Sequence, residues 1–493
     1  MNPNKLFGPL QYVILTVPLF LLLFVSESLN AQVYINEVMA SNSATLADED
    51  GDFPDWIELY NAGATAADLA NYGISDDAED PFKWVIDTLT LEPGAYYLLF
   101  ASDKDRPADS LNYPHLNFKL SSGGEGVYIT APDSSNADSL IFPELRTDES
   151  YGRTPGDLSN LLFYSDPTPG SANSTTGYSG QLPTPELTPE GGFFTRSVTV
   201  SLADTSMADY VYFTLDGTDP TTSSSLFGKD PRFFNFTTTL KVKAIKDGML
   251  PSDVVAQTYF TSVSHSLPVI SLVTDPDLFF DETTGIYVEG PDSNEPNFTK
   301  DIEIPVHIEY YDEEGNQGFS ANAGAKIYGA YSRNFAMKSL SVFFRGQYGL
   351  SELEYPLFKE KDINTFQSFI LRNAGNDFGG AHMRDAVMTT IVKNDIDIDV
   401  QAYQPAVVYI NGDYWGIHNI REKINEHYVE ANYGIDADDV NVIENGETPE
   451  ASNGSAEDFI NLMAYLETAD LSQPEQYESV TSQIDLDNYI DYM

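Results

Sequence analysis

The chain has 493 residues, with 76 Asp and Glu against 25 Lys and Arg, and its formal net charge of −51 excludes a general nucleic-acid role because phosphate backbones would be repelled. It contains no cysteine, which excludes disulfides, thiolate metal sites and cysteine nucleophiles. The apolar fraction of 42% and the aromatic fraction of 13% are those of folded domains, and the length predicts roughly two to four of them.

Residues 1–31 have the features of a targeting segment. Lys5 precedes the apolar run PLQYVILTVPLFLLLFV, and small and polar residues follow up to Ala31. This order predicts a secretory signal peptide that is cleaved near Ala31. A retained N-terminal membrane anchor is the alternative, because the run is nearly long enough to span a bilayer. No later segment could span, so the mature chain is expected to be secreted, extracellular or at the cell surface.

Residues 32–174 contain short runs rich in β-branched and aromatic residues, separated by turn residues; VYINEVMAS, DWIELYNAG and GVYITAP are examples. This punctuation predicts an all-β sandwich. The motifs INEVMASN and DWIELYN, together with SYGRTPGD and DPTPGSAN, resemble the bacterial lamin-tail domain. The resemblance implies an immunoglobulin-like sandwich.

An acidic turn precedes the DWIELYN strand. Asp48, Asp50 and Asp52 stand at alternate positions around Gly51, as at the start of a calcium loop, but Leu59 stands where a bidentate glutamate would be required. A solvated turn is therefore favoured over a Ca²⁺ site.

Residues 175–182 belong to a stretch rich in Pro, Gly, Ser and Thr, which predicts a linker. A second small β-unit is predicted over residues 183–262. Its motifs YFTLDGTDPT and LKVKAIKDG resemble the module at the C-terminus of chitobiases and hexosaminidases. The resemblance implies a fibronectin-like spacer without catalytic residues, and it leaves accessory carbohydrate binding as a weaker idea.

Residues 267–493 mix strands such as IPVHIEYYDEEG with the first helical patterns of the chain, AHMRDAVMTTIVKND and SAEDFINLMAYLE. The fold class predicted for the whole chain is therefore two all-β immunoglobulin- or fibronectin-like sandwiches followed by an α+β domain.

Eight of the cations in the third domain of this acidic chain are candidates for a common site. Concentrated in one place, they would form a site for an anion, and arginine would bind phosphate or carboxylate in a bidentate manner. Their spacing alone favours ordinary salt bridges with the abundant acids. The eight residues are Lys326, Arg333, Lys338, Arg345, Arg372, Arg384, Arg421 and Lys423.

A series of motifs in this domain, including GAYSRNFAMKSLSVFFRGQYG, FILRNAGND, HMRDAVM and VVYINGDYWGIHNIREKI, resembles in order the spore-coat CotH family. That family consists of secreted atypical protein kinases. The resemblance implies an α+β kinase-like domain that phosphorylates Ser or Thr of an exported protein, with ATP and Mg²⁺ or Mn²⁺ as cofactors. The alternative is a non-catalytic cell-surface binding, adhesion or structural protein, in which the kinase-like domain is a relic.

The resemblance also implies site residues. Lys338 looks like the strand lysine that holds the nucleotide phosphates, with Arg333 beside it, and Glu422 is a candidate nucleotide contact. Arg384 is expected to orient the lysine or the phosphates, or to pair at an ordinary helix cap with Asp385.

The motif LRNAGND places Arg372, Asn373 and Asp377 near a strand end, where they either build the site or cap the following helix. Arg372 is counted among the expected nucleotide contacts.

The last residues, LDNYIDYM, are apolar at helical spacing up to Met493. In CotH-type proteins the acidic motifs that bind the metal and position the acceptor hydroxyl come later in the sequence. The catalytic residues are therefore expected beyond Met493, and the chain as given is expected to transfer phosphate poorly.

Overall fold

The computed structural model describes residues 32–109, 112–393, 395–396, 398–444 and 448–493. The predicted signal peptide lies outside the described residues. Within these ranges, no helix combines the length and the apolar character that crossing a bilayer requires.

The first unit is a β-sandwich. One sheet has the strand order β11-β10-β1-β2-β7, the other has the order β5-β4-β8-β9, and β3 pairs with β6. Alternate residues such as Ile57 and Leu59 are buried between the sheets with Leu99 and Val127, which is the pattern that period-2 strands produce. The strands are β1 (Val33–Met39), β2 (Asp55–Asn61), β3 (Ala67–Asp68), β4 (Gly73–Ser75), β5 (Trp84–Val85), β6 (Thr90–Leu91), β7 (Tyr96–Ala101), β8 (Glu125–Thr130), β9 (Asn136–Phe142), β10 (Ser150–Thr154) and β11 (Asp157–Tyr164).

The second unit is a smaller sandwich with its own core around Val200, Leu240 and Tyr259. A three-stranded sheet of order β12-β14-β17 faces a five-stranded sheet of order β13-β19-β18-β15-β16. Its elements are β12 (Leu187–Thr188), β13 (Gly192–Phe194), β14 (Val198–Leu202), a 3₁₀ turn (Thr205–Met207), β15 (Val211–Thr214), β16 (Ser225–Leu226), β17 (Arg232–Phe234), β18 (Thr238–Ala244) and β19 (Val255–Thr261).

The third unit is built on a seven-stranded sheet that closes on itself in the order β20-β21-β22-β23-β26-β28-β27. Short helices and two small hairpins surround it. The elements are β20 (Val269–Val273), α1 (Pro276–Phe280), β21 (Ile304–Tyr311), β22 (Gln317–Tyr328), β23 (Ser339–Phe343), β24 (Leu353–Glu354), β25 (Thr365–Phe366), β26 (Ser368–Arg372), α2 (Arg384–Val392), β27 (Tyr403–Ile410), β28 (Asp413–Glu422), α3 (Glu426–Tyr433), β29 (Val442–Glu444), β30 (Glu450–Asn453), α4 (Glu457–Leu466), α5 (Pro474–Thr481) and α6 (Leu486–Tyr492). Single 3₁₀ turns lie at Asn297–Thr299, Tyr331–Asn334, Gly346–Tyr348, Gly375–Asp377 and Ala437–Asp439.

The closed sheet has an apolar inside and a polar outside. Its interior is filled by side chains from alternate strand positions, among them Ile327, Leu340, Val342, Phe369 and Leu371. Because successive side chains of a strand point to opposite faces, the residues between these positions must face outward.

The fold class predicted from the sequence is confirmed: two all-β units precede an α+β unit. The Asn411-Gly412 dipeptide joins β27 to β28, and both residues have positive φ angles, 50° and 83°. This is the backbone that a primed hairpin turn requires. The predicted helices over 381–395 and 455–467 are confirmed as α2 and α4, although α4 has no buried residue.

The second unit packs against the closed sheet. Phe260 of β19 is buried between Tyr311 of β21 and Tyr409 of β27, with ring centroids 5.6 and 4.9 Å away. Phe193 of β13 stacks on the same ring at 4.5 Å. This aromatic cluster buries apolar surface from both units, so it stabilises their relative position.

Candidate functional site

A row of residues crosses the outer face of the closed sheet. The strand register pairs Lys326 with Ser341, Ser341 with Ile370, Ile370 with Arg421, and Arg421 with Tyr403. Directly paired residues project on the same face. The neighbours of these residues along each strand, such as Ile327 and Leu340, belong to the interior. We call the surface that contains this row, together with Phe343, Arg345, Arg372 and Lys423, the cationic face.

Three cations of the cationic face surround one aromatic ring. The charged groups of Lys326, Arg345 and Lys423 lie 5.1, 4.9 and 4.8 Å from the centroid of Phe343, which is within range for cation–π attraction. Burial, reinforced by the nearby ammonium of Lys326, lowers the pKa of Lys423. A bound anion would relieve this repulsion.

Arg421 lies at the centre of the cationic face and is 2% exposed. Its Nη1 lies 3.7 Å from Oδ2 of Asp385, and the same oxygen accepts a hydrogen bond of 3.0 Å from Nε of Arg372. Among the described residues, Nε and Nη1 of Arg421 are buried without a hydrogen-bond partner. Leaving buried donors unpaired is costly, and burial lowers the pKa of this guanidinium.

The eight cations divide into two groups. Five of them pair with a carboxylate: Lys326 with Asp301, Arg345 with Glu303, Arg384 with Asp377, and both Arg372 and Arg421 with Asp385. Over the described ranges, Arg333, Lys338 and Lys423 have no such pair. Salt bridges therefore account for most of the cations, as their spacing favoured. Nε and Nη1 of Arg421 lack a hydrogen-bond acceptor, and Lys423 lacks a carboxylate partner among the described residues.

Two concavities flank strand β28 where it leaves the cationic face. One, of 220 Å³, is lined by Lys423, Ser368 and His427. The other, of 280 Å³, is lined by Lys361 and Tyr403. Both are below the ~300 Å³ at which small-molecule sites usually begin, so each suits a phosphoryl group better than a whole nucleotide.

Lys338 lies elsewhere, immediately before β23. Its side chain is buried, and its Nζ donates hydrogen bonds to the carbonyl oxygens of Arg333 (2.5 Å) and Phe335 (3.1 Å). The ammonium also lies 4.0 Å from the centroid of the Phe298 ring, and burial lowers its pKa. The predicted strand lysine therefore opens a strand as expected, but its amine is engaged in holding its own loop.

Arg333 is close to Lys338 and lies outside the row of residues that crosses the cationic face. Its Nη1 donates to the carbonyl oxygen of Thr299 at 3.0 Å, while its Nε is buried without a partner among the described residues. Arg333 and Lys338 are thus brought together as predicted, in the loop between β22 and β23.

Asp377 caps helix α2. Its carboxylate accepts hydrogen bonds from the backbone N–H groups of Ala381, Met383 and Arg384, and Nε of Arg384 lies 3.2 Å from its Oδ1. The capping alternative therefore holds for Asp377, because carboxylates at a helix N-terminus satisfy free N–H groups. Arg384 pairs with this carboxylate and not with Asp385, the partner expected from the sequence, which pairs with Arg372 and Arg421 instead.

Glu422, expected to contact the nucleotide, lies under helix α3. Its side chain accepts hydrogen bonds from Nζ of Lys361 (2.6 Å), Nδ2 of Asn432 (3.0 Å) and the backbone N–H of Ala402 (2.6 Å). It thus ties α3 and the 359–362 loop to the closed sheet. The structure gives Glu422 a structural role, and any contact with a nucleotide stays a prediction.

Of the five residues expected to bind the nucleotide, the structure places only Arg372 on the cationic face. Ser341, Tyr403 and Lys361 were missed by the sequence analysis. The signal that could have found Ser341 is a polar residue between two apolar interior residues of a strand, as in Leu340-Ser341-Val342. The same pattern marks Lys326, which stands between Ala325 and Ile327.

The acidic turn of the first unit contains its own cation. Nζ of Lys104 lies 2.6 to 2.7 Å from a carboxylate oxygen of Asp48, Asp50 and Asp52. The oxygens lie close enough together to share an ion, yet the lysine ammonium supplies the positive charge. Burial opposes it, but hydrogen bonds to the three aspartates raise the pKa of Lys104. This geometry favours the structural reading of the turn over a calcium site.

Three protein-family models match the chain. Residues 26–142 match the Lamin Tail Domain, residues 189–257 match the Chitobiase/beta-hexosaminidase C-terminal domain, and residues 325–493 match the CotH kinase protein family. No curated protein matches the chain. The combination of families predicted from the motifs is confirmed.

The cationic face fits the phosphates of a nucleotide, because the unpaired donors of Arg421 and the amine of Lys423 match an anion in charge and geometry. The third unit does not fit a divalent metal equally well. Across the described parts of the chain, the Asp48, Asp50 and Asp52 triad is the one set of three carboxylates close enough to share an ion, and it lies in the first unit. No step that depends on a metal is therefore derived from these residues.

Proposed function

We propose that this chain is a secreted protein kinase of the CotH type that binds ATP on the cationic face and phosphorylates Ser or Thr of an exported protein. The match of residues 325–493 to the CotH kinase family supports the kinase class. The signal peptide predicted from residues 1–31 supports secretion. Mg²⁺ or Mn²⁺ belongs to the proposal through the family resemblance.

The observation that carries the proposal is the pair of unpartnered donors on Arg421, buried within a sheet face that concentrates cations. Phosphoryl transfer is catalysed largely by positioning and by fixed positive charge that stabilises the transferring phosphoryl group. In a chain with a net charge of −51, a phosphate-binding surface must be shielded from the surrounding carboxylates. Arg421 is 2% exposed, and Asp385 is its one carboxylate partner among the described residues, 3.7 Å from Nη1.

Each residue of the face has a distinct part in the proposal. Arg421 offers two guanidinium donors to one phosphate, and Lys423 neutralises a second one from the edge of the face. Arg372 fixes the carboxylate of Asp385, which keeps Arg421 oriented.

Equilibrium binding of a fluorescent ATP analogue, with displacement by ATP, tests the proposal on the purified chain. We expect Lys423→Ala and Arg421→Lys to weaken ATP binding about tenfold or more, since each removes a charge-assisted hydrogen bond worth roughly 1.5–3 kcal/mol. Lys359→Ala is the matched control, because that side chain is 67% exposed and pairs with Glu313 away from the face.

Lys338→Ala separates the two candidate positions for the phosphates. If the phosphates lie on the cationic face, Lys338→Ala binds ATP with the wild-type affinity, measured under conditions in which both proteins are fully folded. A loss confined to Lys338→Ala, with Lys423→Ala and Arg421→Lys unchanged, would place them in the β22–β23 loop and contradict the cationic face. Transfer of labelled phosphate to dephosphorylated casein by the full-length protein, with Mg²⁺ or Mn²⁺ present, tests the catalytic half of the proposal. The absence of any transfer would contradict it.

A further inference from the structure

The outer face of the five-stranded sheet in the first unit presents a row of three tyrosines. The strand register pairs Tyr34 of β1 with Tyr60 of β2, and Tyr60 with Tyr96 of β7. The rings of Tyr60 and Tyr96 stack with centroids 4.6 Å apart and planes inclined by 21°. All three side chains are partly exposed. The row lies at the opposite side of the strands from the sandwich core.

A groove of 350 Å³ runs beside this row. Tyr60 and Tyr96 line it, together with Asn36 and with Pro155, Gly156 and Leu158 from the turn between β10 and β11. We call it the tyrosine groove. Its volume lies near the lower end of the ~300–1,000 Å³ of small-molecule sites.

The groove is neutral in a strongly acidic molecule. None of the residues that line it carries a charge, although the chain has 76 acidic residues. A cationic peptide would find no carboxylate there, and an anion would find no ammonium or guanidinium. The lining therefore selects an uncharged ligand.

The tyrosine hydroxyls are free to bind. Over the described ranges, neither Tyr60 nor Tyr96 donates or accepts a side-chain hydrogen bond within the protein, whereas buried tyrosines such as Tyr259 are hydrogen-bonded. A tyrosine ring with an unused hydroxyl offers an apolar face and a polar tip at the same site. A ligand that fits must also combine apolar faces with hydroxyl groups.

The surroundings hold the groove in place. Nδ2 of Asn36 donates to Glu58 (2.8 Å) and to Asn173 (3.0 Å). On the other side, Arg153 donates to the carbonyl oxygens of Ile35 and Leu158, which fixes the β10–β11 turn. A site held on both sides loses little conformational entropy when a ligand binds.

We propose that the tyrosine groove binds one or two residues of a neutral polysaccharide. The C–H faces of a pyranose ring pack on tyrosine faces, and its hydroxyls hydrogen-bond to the phenols of Tyr60 and Tyr96. An uncharged proline-rich peptide is the competing ligand, but it lacks the hydroxyl groups that the two phenols would pair with. The proposal concerns the first unit and does not depend on the proposed kinase function.

Affinity electrophoresis tests the proposal with the purified full chain in native gels that contain laminarin, hydroxyethyl cellulose, glycol chitin or dextran. We expect at least one of these neutral polysaccharides to retard the protein. Tyr60→Ala and Tyr96→Ala should each weaken that retardation about tenfold or more. Tyr60→Phe, which keeps the ring, should weaken it only a few-fold. Phe53→Ala is the matched control, because Phe53 is an aromatic residue of the same unit, 42% exposed and outside the groove.

Thermal unfolding of each variant is measured alongside, so that loss of the fold is not mistaken for loss of the site. Retardation by none of the four polysaccharides would overturn the proposal. So would equal retardation of Tyr60→Phe, Tyr60→Ala and Phe53→Ala, or binding of a polyproline peptide in the groove without any polysaccharide.

Discussion

Two buried glutamates lie side by side on the outer face of the first sandwich. Glu37 and Glu58 are paired across β1 and β2, and both are inaccessible to solvent. Burial raises the pKa of Glu37 to about 7 and that of Glu58 to about 8. Their oxygens accept hydrogen bonds from Ser150, Thr168 and the N–H of Gly170, so the pair attaches the 166–173 segment to the sheet.

The sign of the resulting pH dependence follows from these raised values. Below pH 4.5, the ordinary pKa of a glutamate in the unfolded chain, both the folded and the unfolded states hold the two protons. The contribution of the pair to the free energy of unfolding is then fully present. Between pH 4.5 and about 7 or 8, only the folded state holds them. Each group then lowers the free energy of unfolding by about 1.4 kcal/mol per pH unit, until the folded state also releases its proton.

Glu58→Gln tests this account, because glutamine cannot ionise. We expect the loss of stability between pH 6 and pH 9 to be smaller in the variant than in the wild type. Denaturant titrations in a Trp415→Phe background measure it, since the remaining tryptophans, Trp56 and Trp84, both lie in the first unit. The exposed Glu79→Gln is the control and should keep the wild-type slope. An unchanged slope in Glu58→Gln would show that Glu58 is already ionised in the folded state.

At the residue scale, the sequence grouped Arg421 and Lys423 with the cations of the third domain but did not include them among the expected nucleotide contacts. The polar positions between apolar ones in β22 and β23, such as Lys326 and Ser341, are readable from the sequence. The engagement of Lys338 with the carbonyl oxygens of its own loop was not readable, because it depends on the conformation of residues 331–337.

Local signals predicted individual elements well. The Asn411-Gly412 turn and helix α2 depend on backbone preferences and on spacing within a few residues, which a sequence displays directly. The closure of the seven-stranded sheet was not predicted. It depends on the parallel pairing of β20 with β27, which brings together residues more than 130 positions apart.

Helix α3 is held to the closed sheet by the contacts of Glu422, and this attachment can be tested. Lys361→Met removes the cation that faces a buried carboxylate, so we expect it to destabilise the third unit by about 2–4 kcal/mol. Adding Glu422→Gln should recover most of that loss. Denaturant unfolding followed by Trp415 fluorescence, with Trp56 and Trp84 replaced by phenylalanine, reports on this unit.

Lys359→Met provides the matched control for that experiment. Its exposed pair with Glu313 should contribute less than about 1 kcal/mol. Equal effects of Lys361→Met and Lys359→Met would contradict the structural role of Glu422. A Glu422→Gln variant that loses ATP affinity without losing stability would instead support the nucleotide contact predicted from the sequence.

At the scale of the whole molecule, the negative charge is dispersed while cations are gathered on one face of the third unit. Three carboxylates, those of Asp301, Glu303 and Asp385, accompany the cations of this face, so the face retains an excess of positive charge. The two proposed sites therefore lie on separate units and differ in chemistry. One is buried and cationic, and the other is open and neutral.

The interface between the second unit and the closed sheet, which we call the joint, contains apolar side chains and one titratable carboxyl group. Glu309 of β21 is inaccessible to solvent at this joint, where it accepts hydrogen bonds from the N–H of Thr258 (3.2 Å) and from Tyr311 (2.9 Å). Burial raises its pKa. A protonated carboxyl costs far less to bury than a charged one, so the interface is compatible with a neutral Glu309.

Phe260 should be the residue that holds this joint together. It packs in the interface cluster with Tyr311 and Tyr409, whereas the core of the second unit is formed by its neighbour Tyr259 and other residues. Phe260→Ala should therefore cost about 3–5 kcal/mol of packing free energy, most of it at the joint. The connecting residues 262–267 should then become accessible to a protease. We expect limited proteolysis to cut this connection at least tenfold faster in Phe260→Ala than in the wild type, while each unit keeps its own unfolding transition. Phe233→Ala, at a position that is 63% exposed, is the control and should be cut at the wild-type rate.

If Phe260→Ala is also cut at the wild-type rate, the polar contacts of Glu309 and Thr258 suffice to hold the two units together.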